Sequence, residues 1–405
     1  MRRLAHLAVL ALLASTIVAT PLLAQRDRRE PKRPDLGAGR DTNDWRAYYL
    51  YGIMNLDRKP DDAAAAFYWA SRLDPSQAEP YYGRWTALWA TDLDRLMRYM
   101  FGQRYVVESK WARQTDSLLQ SALVRNPFLH RGLERRLWDK IFDEIVRYCM
   151  QAAANDVTLN CASIGFTRTG SPYTTGWLAY TRSQFGLAAT KFLETLQREP
   201  KFTQARLYLA RSLYHMGEYD SSANEMGRVL EEMRRDDRKK LIYFYESKAQ
   251  FEYSIGMIRA ARGDVDGARE AYGRALTEDL SFHMAHAQLG AIALAEGDTA
   301  TALLEYGQAS ELSPTDPSLR FTYGAALLTA RRAAEGEAQL RKAIELEPYH
   351  AASHFNLGVA LDMQGKLKEA ADAYGVFLAR AAQTMSAQIQ FARERVEMFK
   401  TTAGS

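Results

Sequence analysis

A step of 34 positions recurs through the second half of this chain and constrains its fold more than any other feature. Gly256, Gly290, Gly324 and Gly358 follow one another at this step, and so do Ala268, Ala302, Gly336 and Ala370. Tyr272, Tyr306, Leu340 and Tyr374 keep it too, as do Ala275, Ala309, Ala343 and Phe377. A fixed period of this length describes stacked helical hairpins, in which one unit cannot bury its apolar face without its neighbours. Four adjoining units result, 249–282, 283–316, 317–350 and 351–384.

Each unit reads as two helices. Small residues stand at places 8, 20 and 27, where the helices approach closely, and a large apolar residue at place 24 fills the space beside them. Gly263, Gly297 and Gly365 fall at place 15, where a left-handed residue ends the first helix. Pro314 and Pro348, at place 32, separate one unit from the next. These units resemble tetratricopeptide repeats, a superfamily of helix–turn–helix solenoids. The pattern extends upstream to 203–236 (Ala210, Gly217, Ser222, Met226, Val229) and 169–202 (Gly176, Ala188, Phe192, Pro200). A weaker unit, 44–77, has Ala63, Phe67, Ala70 and Pro75, but Tyr51 stands where a small residue is expected. Another starts at Ala78 and carries an insertion, because Pro127 follows Pro75 by 52 positions. The expected fold is all-α, an α-solenoid of about six good and two degenerate repeats, with the right-handed superhelix that the resemblance implies.

The resulting organisation has a leader over 1–24, a polar linker over 25–42 and an irregular helical region over 43–168. Two units follow (169–236), then an insertion (237–248), four units (249–384) and a closing helix with a tail (385–405). The insertion holds no Pro or Gly and is expected to lengthen the first helix of the next unit. The leader begins Met-Arg-Arg, continues uncharged and mostly apolar from Leu4 to Ala24, and suits export with cleavage near Gln25. An uncleaved anchor is the alternative, since about 20 apolar residues span a bilayer. Gln25 stands where a bacterial lipoprotein would carry its lipidated cysteine. The expected location is periplasmic or secreted. In an oxidising compartment Cys149 and Cys161, 12 positions apart, are expected to form a disulfide, the alternative being two packed thiols.

Composition excludes more than it identifies. A net charge of +4 falls to +2 without the two leader arginines, and no basic stripe follows any helix, so nucleic acid is not an expected partner. The chain has no Gly-Lys-Ser/Thr phosphate loop, no Gly-x-Ser-x-Gly elbow, no His-Glu-x-x-His and no Cys-x-x-Cys. No catalytic residue, metal site or cofactor is expected. The pair His283/His286 and the pair His350/His354 stand two units apart along the array. At roughly 8–10 Å per helix layer they cannot share a metal.

Place 5 of each first helix faces the concave surface in this repeat family. The resemblance therefore implies a groove lined by Tyr48, Tyr82, Tyr173, Leu207, Tyr253, Ala287, Phe321 and Phe355, with Trp177 and Arg211 at place 9. Family members that clamp a peptide's terminal carboxylate use Lys at place 5 and Asn at place 9, and this chain has neither. Trp177 is the last of the seven tryptophans, so all of them lie in the first half of the chain. They either fill imperfect gaps there or form a contact surface. The functional expectation is a non-enzymatic scaffold of the bacterial envelope that binds a protein or peptide in an aromatic groove. The alternative is a regulatory or assembly subunit of envelope polysaccharide or peptidoglycan machinery.

Overall fold

Six bulky side chains at place 24 set the core of the array. Phe192, Met226, Tyr272, Tyr306, Leu340 and Tyr374 are all buried, each lying against the small residue at place 8 of its own unit. A Cβ built on Gly256 would press into the Tyr272 ring, and one on Gly358 would stand 2.6 Å from Tyr374. The glycines are what let these rings lie flat between two helices. Burying a ring of this size contributes roughly 1.5–3 kcal/mol per unit. In the 203–236 unit a polar contact joins the helices as well: Ser222 Oγ at place 20 donates to the Ala210 carbonyl at place 8, 2.8 Å away.

This computed structural model describes residues 30–92, 105–140, 143, 171–235 and 247–403. Every regular element among them is helical. The helices are α1 Trp45–Asn55, α2 Pro60–Leu73, α3 Glu79–Thr91, α4 Tyr105–Arg125, α5 over 133–140, α6 Pro172–Thr181, α7 Phe185–Arg198, α8 Thr203–His215 and α9 Tyr219–Arg235. They continue as α10 Lys248–Arg262, α11 Val265–Glu278, α12 His283–Ala295, α13 Thr299–Leu312, α14 Pro317–Thr329, α15 Ala333–Leu346, α16 Ala351–Met363, α17 Leu367–Arg380 and α18 Ser386–Ala403. From α6 to α17 they pack in consecutive pairs, one pair per repeat, as an α-solenoid. The leader, Cys149 and Cys161 lie outside the described residues.

Place 15 is left-handed in all six units. Gly217, Gly263, Gly297 and Gly365 take φ of 79°, 87°, 82° and 73°, and Ser183 and Arg331 take 59° and 62° at the same place. The turn dictates the conformation, and two units meet it without glycine.

Three expectations need correction. In the first unit the small residue is Gly52, not Tyr51. A Cβ on Gly52 would lie 2.7 Å from the Phe67 ring, and one on Gly83 of α3 would lie 2.6 Å from the same ring. The first turn is shorter by one residue than in the regular units: Gly52 precedes Phe67 by 15 positions, where Gly256 precedes Tyr272 by 16. Second, the insertion lengthens α10 by its last residue, Lys248, and residues 237–246 of it lie outside the described residues. That helix begins at Lys248, where Ser247 is extended and its side chain accepts from Gln250 N at 3.1 Å. Third, α18 is more than a cap. Ala392 follows Gly358 by one full repeat step and is fully buried, so the closing helix continues the register as the first half of another unit.

Candidate functional site

The chain's own N-terminal half contacts the array at points along its length. Residues 34–140 touch every one of the six units. At the far end, Asp41 Oδ2 accepts from Gln383 N at 2.7 Å, and Asn43 Nδ2 donates to the Ala379 and Ala381 carbonyls. Trp69 stands edge-on to Tyr349 at 5.0 Å, and Arg72 pairs with Glu347. Tyr349 also lies beneath Arg72 and Arg380, at 5.1 and 5.5 Å.

The end of α4 and the turn after it cross the middle of the array. Arg125 Nη2 meets Asp316 Oδ2 at 2.6 Å, its Nε donates to the Pro75 carbonyl at 3.0 Å, and its guanidinium lies 4.6 Å over Tyr81. Asp316 is the N-cap of α14, its Oδ1 accepting from Ser318 N, so one carboxylate serves both partners. Burial pushes the Tyr81 hydroxyl up to about 12. Gln250 Nε2, at place 2 of its unit, donates to the Leu123 carbonyl at 3.2 Å. Phe128 stacks on Tyr214, at place 12, with centroids 3.9 Å apart. His130 Nε2 lies 2.9 Å from the Tyr180 carbonyl, with Phe185 and His215 beside its ring. Burial, followed by the neighbouring His130, pulls His215 down to about 4.

This arrangement sorts the residues expected to line the groove. Tyr48 is fully buried, because the shorter first turn shifts its unit by one residue and turns it inward; Tyr49 takes the place-5 position. Tyr82 is covered by the start of α5, whose Glu134 N donates to its hydroxyl at 2.9 Å. Tyr253 is buried among Tyr272 and Phe282. Arg211 is buried over the Tyr208 ring. These four offer no face to a partner, and Leu207 is buried with them. Tyr173, Trp177, Phe321 and Phe355 remain partly exposed. Tyr173 leans on Phe202 at 4.7 Å and Phe321 meets His350 edge-on at 4.9 Å. Phe355 touches Tyr374, Phe377 and Phe391, the last of these 42% exposed on α18. The open aromatic surface is therefore short and lies at the two ends.

Three of the four paired histidines have hydrogen-bond partners within the array. His286 Nδ1 lies 2.7 Å from Glu305, His350 Nδ1 2.8 Å from Ser353 Oγ, and His354 Nε2 3.0 Å from the Pro348 carbonyl. Among the described tryptophans Trp69 and Trp89 are buried and Trp85 donates to Asp116 at 3.0 Å, while Trp138 is exposed. Between α1, α5 and the end of α6 lies a cavity of about 620 Å³, lined by Tyr49, Ile53, Leu133, Arg136, Asp139 and Arg182 among others.

A family model for the tetratricopeptide repeat matches residues 173–237, 253–317 and 324–386. The chain belongs to the tetratricopeptide repeat superfamily. Arrays of this kind are protein-interaction modules, and this chain is a scaffold of that class. Among solved structures, the chain is similar to the C-terminal part of a TPR repeat-containing protein from Cytophaga hutchinsonii, at 16% identity and a TM-score of 0.47, covering 57% of this chain and 88% of that one. It is also similar to YrrB, described as a TPR protein with an unusual peptide-binding site, at 18% identity and a TM-score of 0.40, over 51% of this chain and 100% of that one. No curated protein matches the chain in sequence.

Proposed function

We propose that this chain is an exported, non-enzymatic scaffold of the bacterial envelope that holds a protein or peptide partner against the inner side of its repeats. The observation that carries the reading is that Phe321 and Phe355, at place 5 of successive well-matched units, are both partly exposed. Aromatic side chains that keep one face free are favoured anchors at interfaces. The apolar leader supports the export part of the reading.

Photocrosslinking tests the surface. A crosslinking amino acid is placed at Phe321 in one variant and at Leu304, on the second helix of the preceding unit and 59% exposed, in another. The reading expects partner adducts from 321 and none from 304. Adducts from 304 alone would move the binding surface to the outside of the array. N-terminal sequencing of native material tests export, with a start near Gln25 as the expected result and Met1 in a carbonate-resistant membrane fraction as the opposing one.

A further inference from the structure

The segment that crosses the array has the properties of a bound ligand. Helices α1–α4 pack on one another, and among the described residues none of them packs extensively along a helix of α6–α18. The contacts between the two halves are made instead by single side chains and by loops. Three of them fall between positions 125 and 130. Arg125 engages a carboxylate, Phe128 stacks on an aromatic, and His130 reaches a backbone carbonyl. The three partners lie in three different units of the array. The sequence Arg125-Asn126-Pro127-Phe128 is a helix end followed by a turn, in which Asn126 Oδ1 accepts from Phe128 N at 3.0 Å. The receiving side chains are polar as well as apolar: Gln250 donates, Asp316 accepts and Tyr214 stacks. The seam is filled unevenly: Phe128 is buried among Leu207, Met226 and Phe251, while the cavity of about 620 Å³ opens beside His130 at its end. The contacts inside each unit are different, with bulky side chains pressed onto glycines.

We propose that the inner surface of units 169–316 is a receptor for a helix end presenting an arginine and, three residues later, an aromatic ring. The chain fills this receptor in cis with residues 119–130, and a partner protein carrying the same pattern takes their place. The proposal rests on the scaffold reading above and deepens it by naming what the partner must present. A tethered segment competes at an effective concentration on the order of millimolar. An outside segment therefore binds weakly until the cis contacts are loosened, and the same two anchors govern both affinity and access.

The test uses full-length purified protein and a fluorescent synthetic peptide of residues 115–131, so it needs no natural partner. Arg125→Glu with Phe128→Ala removes both cis anchors and leaves the receiving residues intact. This variant is expected to bind the peptide at least about tenfold more tightly than the wild type, because the competing segment no longer holds the site. A second variant, Asp316→Arg, breaks the same ion pair from the receptor side. It should reject the native peptide and bind one in which the arginine equivalent to Arg125 is replaced by glutamate. Circular dichroism and melting accompany both. If folded variants bind neither peptide, or if neither variant keeps its helical signal, residues 119–130 are permanent core and the proposal is overturned. That failure would leave the scaffold reading intact, since crosslinking at Phe321 reports on it separately.

Discussion

The regular array over 169–384 and the irregular half over 34–140 solve the same packing problem by different means. In the array, each unit repeats one contact, a bulky side chain at place 24 against a small residue at place 8, and the stack extends by copying it. Among the described residues of the N-terminal half the motif survives in good form where Phe67 lies between Gly52 and Gly83. Elsewhere that half relies on stacked and edge-on aromatics and on polar contacts that reach far along the chain, such as Arg125 to Asp316. The difference teaches that a repeat is stable through local copies, whereas a degenerate region is stable through particular long-range partners. Damage to the first should spread between neighbours, and damage to the second should detach a block.

The largest effect should come from the place-24 rings. Tyr272→Ala is expected to cost about 3–5 kcal/mol, as does Phe67→Ala, since both leave cavities where a flat ring was enclosed. Hydrogen exchange should separate them. Tyr272→Ala should raise exchange in α10–α14, and Phe67→Ala in α1–α3 alone; equal spread from both would erase the contrast between the two regions. Next comes Arg125→Ala, expected to cost about 1.5–3 kcal/mol, because it leaves the Asp316 carboxylate with one partner fewer in a half-dry seam. Chemical denaturation of that variant should split into two transitions, with the N-terminal block melting first. A single unchanged transition would mean that the seam contributes little.

Acid should loosen the seam at His215. His215 is held neutral in the folded chain, its pKa lowered to about 4, while in the unfolded chain it takes up a proton near the ordinary value of about 6.5. The unfolded state therefore binds the proton first as pH falls. The stability that neutral His215 allows is complete above about pH 6.5 and is lost progressively towards about pH 4. His215→Phe keeps the stack on Phe185, 4.4 Å away, and removes the titration, so its melting temperature should fall less between about pH 7 and pH 5 than that of the wild type. A parallel decline in both proteins would place the acid sensitivity elsewhere. The smallest effect lies within the array. Arg331→Gly relieves a left-handed residue, φ 62°, and should stabilise by about 0.5–1 kcal/mol, less than the full penalty because glycine also loses more freedom on folding. The same change at an ordinary α15 position, such as Lys342→Gly, should destabilise by a similar amount, and thermal melts of the two variants side by side check the sign.

The amino-acid sequence by itself determined the array: the paired helices, the small and bulky places, and the left-handed turn were all legible, because each depends on residues no further apart than one repeat step. The closing helix could also have been read further, since Ala392 keeps the register of Gly358. The first unit was misread because a turn shorter by one residue offsets the register of its first helix. Such an offset turns each side chain of that helix by about 100° about the axis, and Tyr48 went inward with it. Which aromatics line a surface was not legible. Tyr82 stands at an inward-facing place as the pattern requires, yet Glu134 and the start of α5 cover it. Tyr253 stands at the same place and is enclosed by Tyr272 and by Phe282, which ends its unit. Only the tertiary structure decided that the N-terminal half lies across the repeats. A period reports contacts between neighbours in sequence. The contacts that close this molecule join residues as far apart as Asp41 and Gln383, for which no local pattern exists.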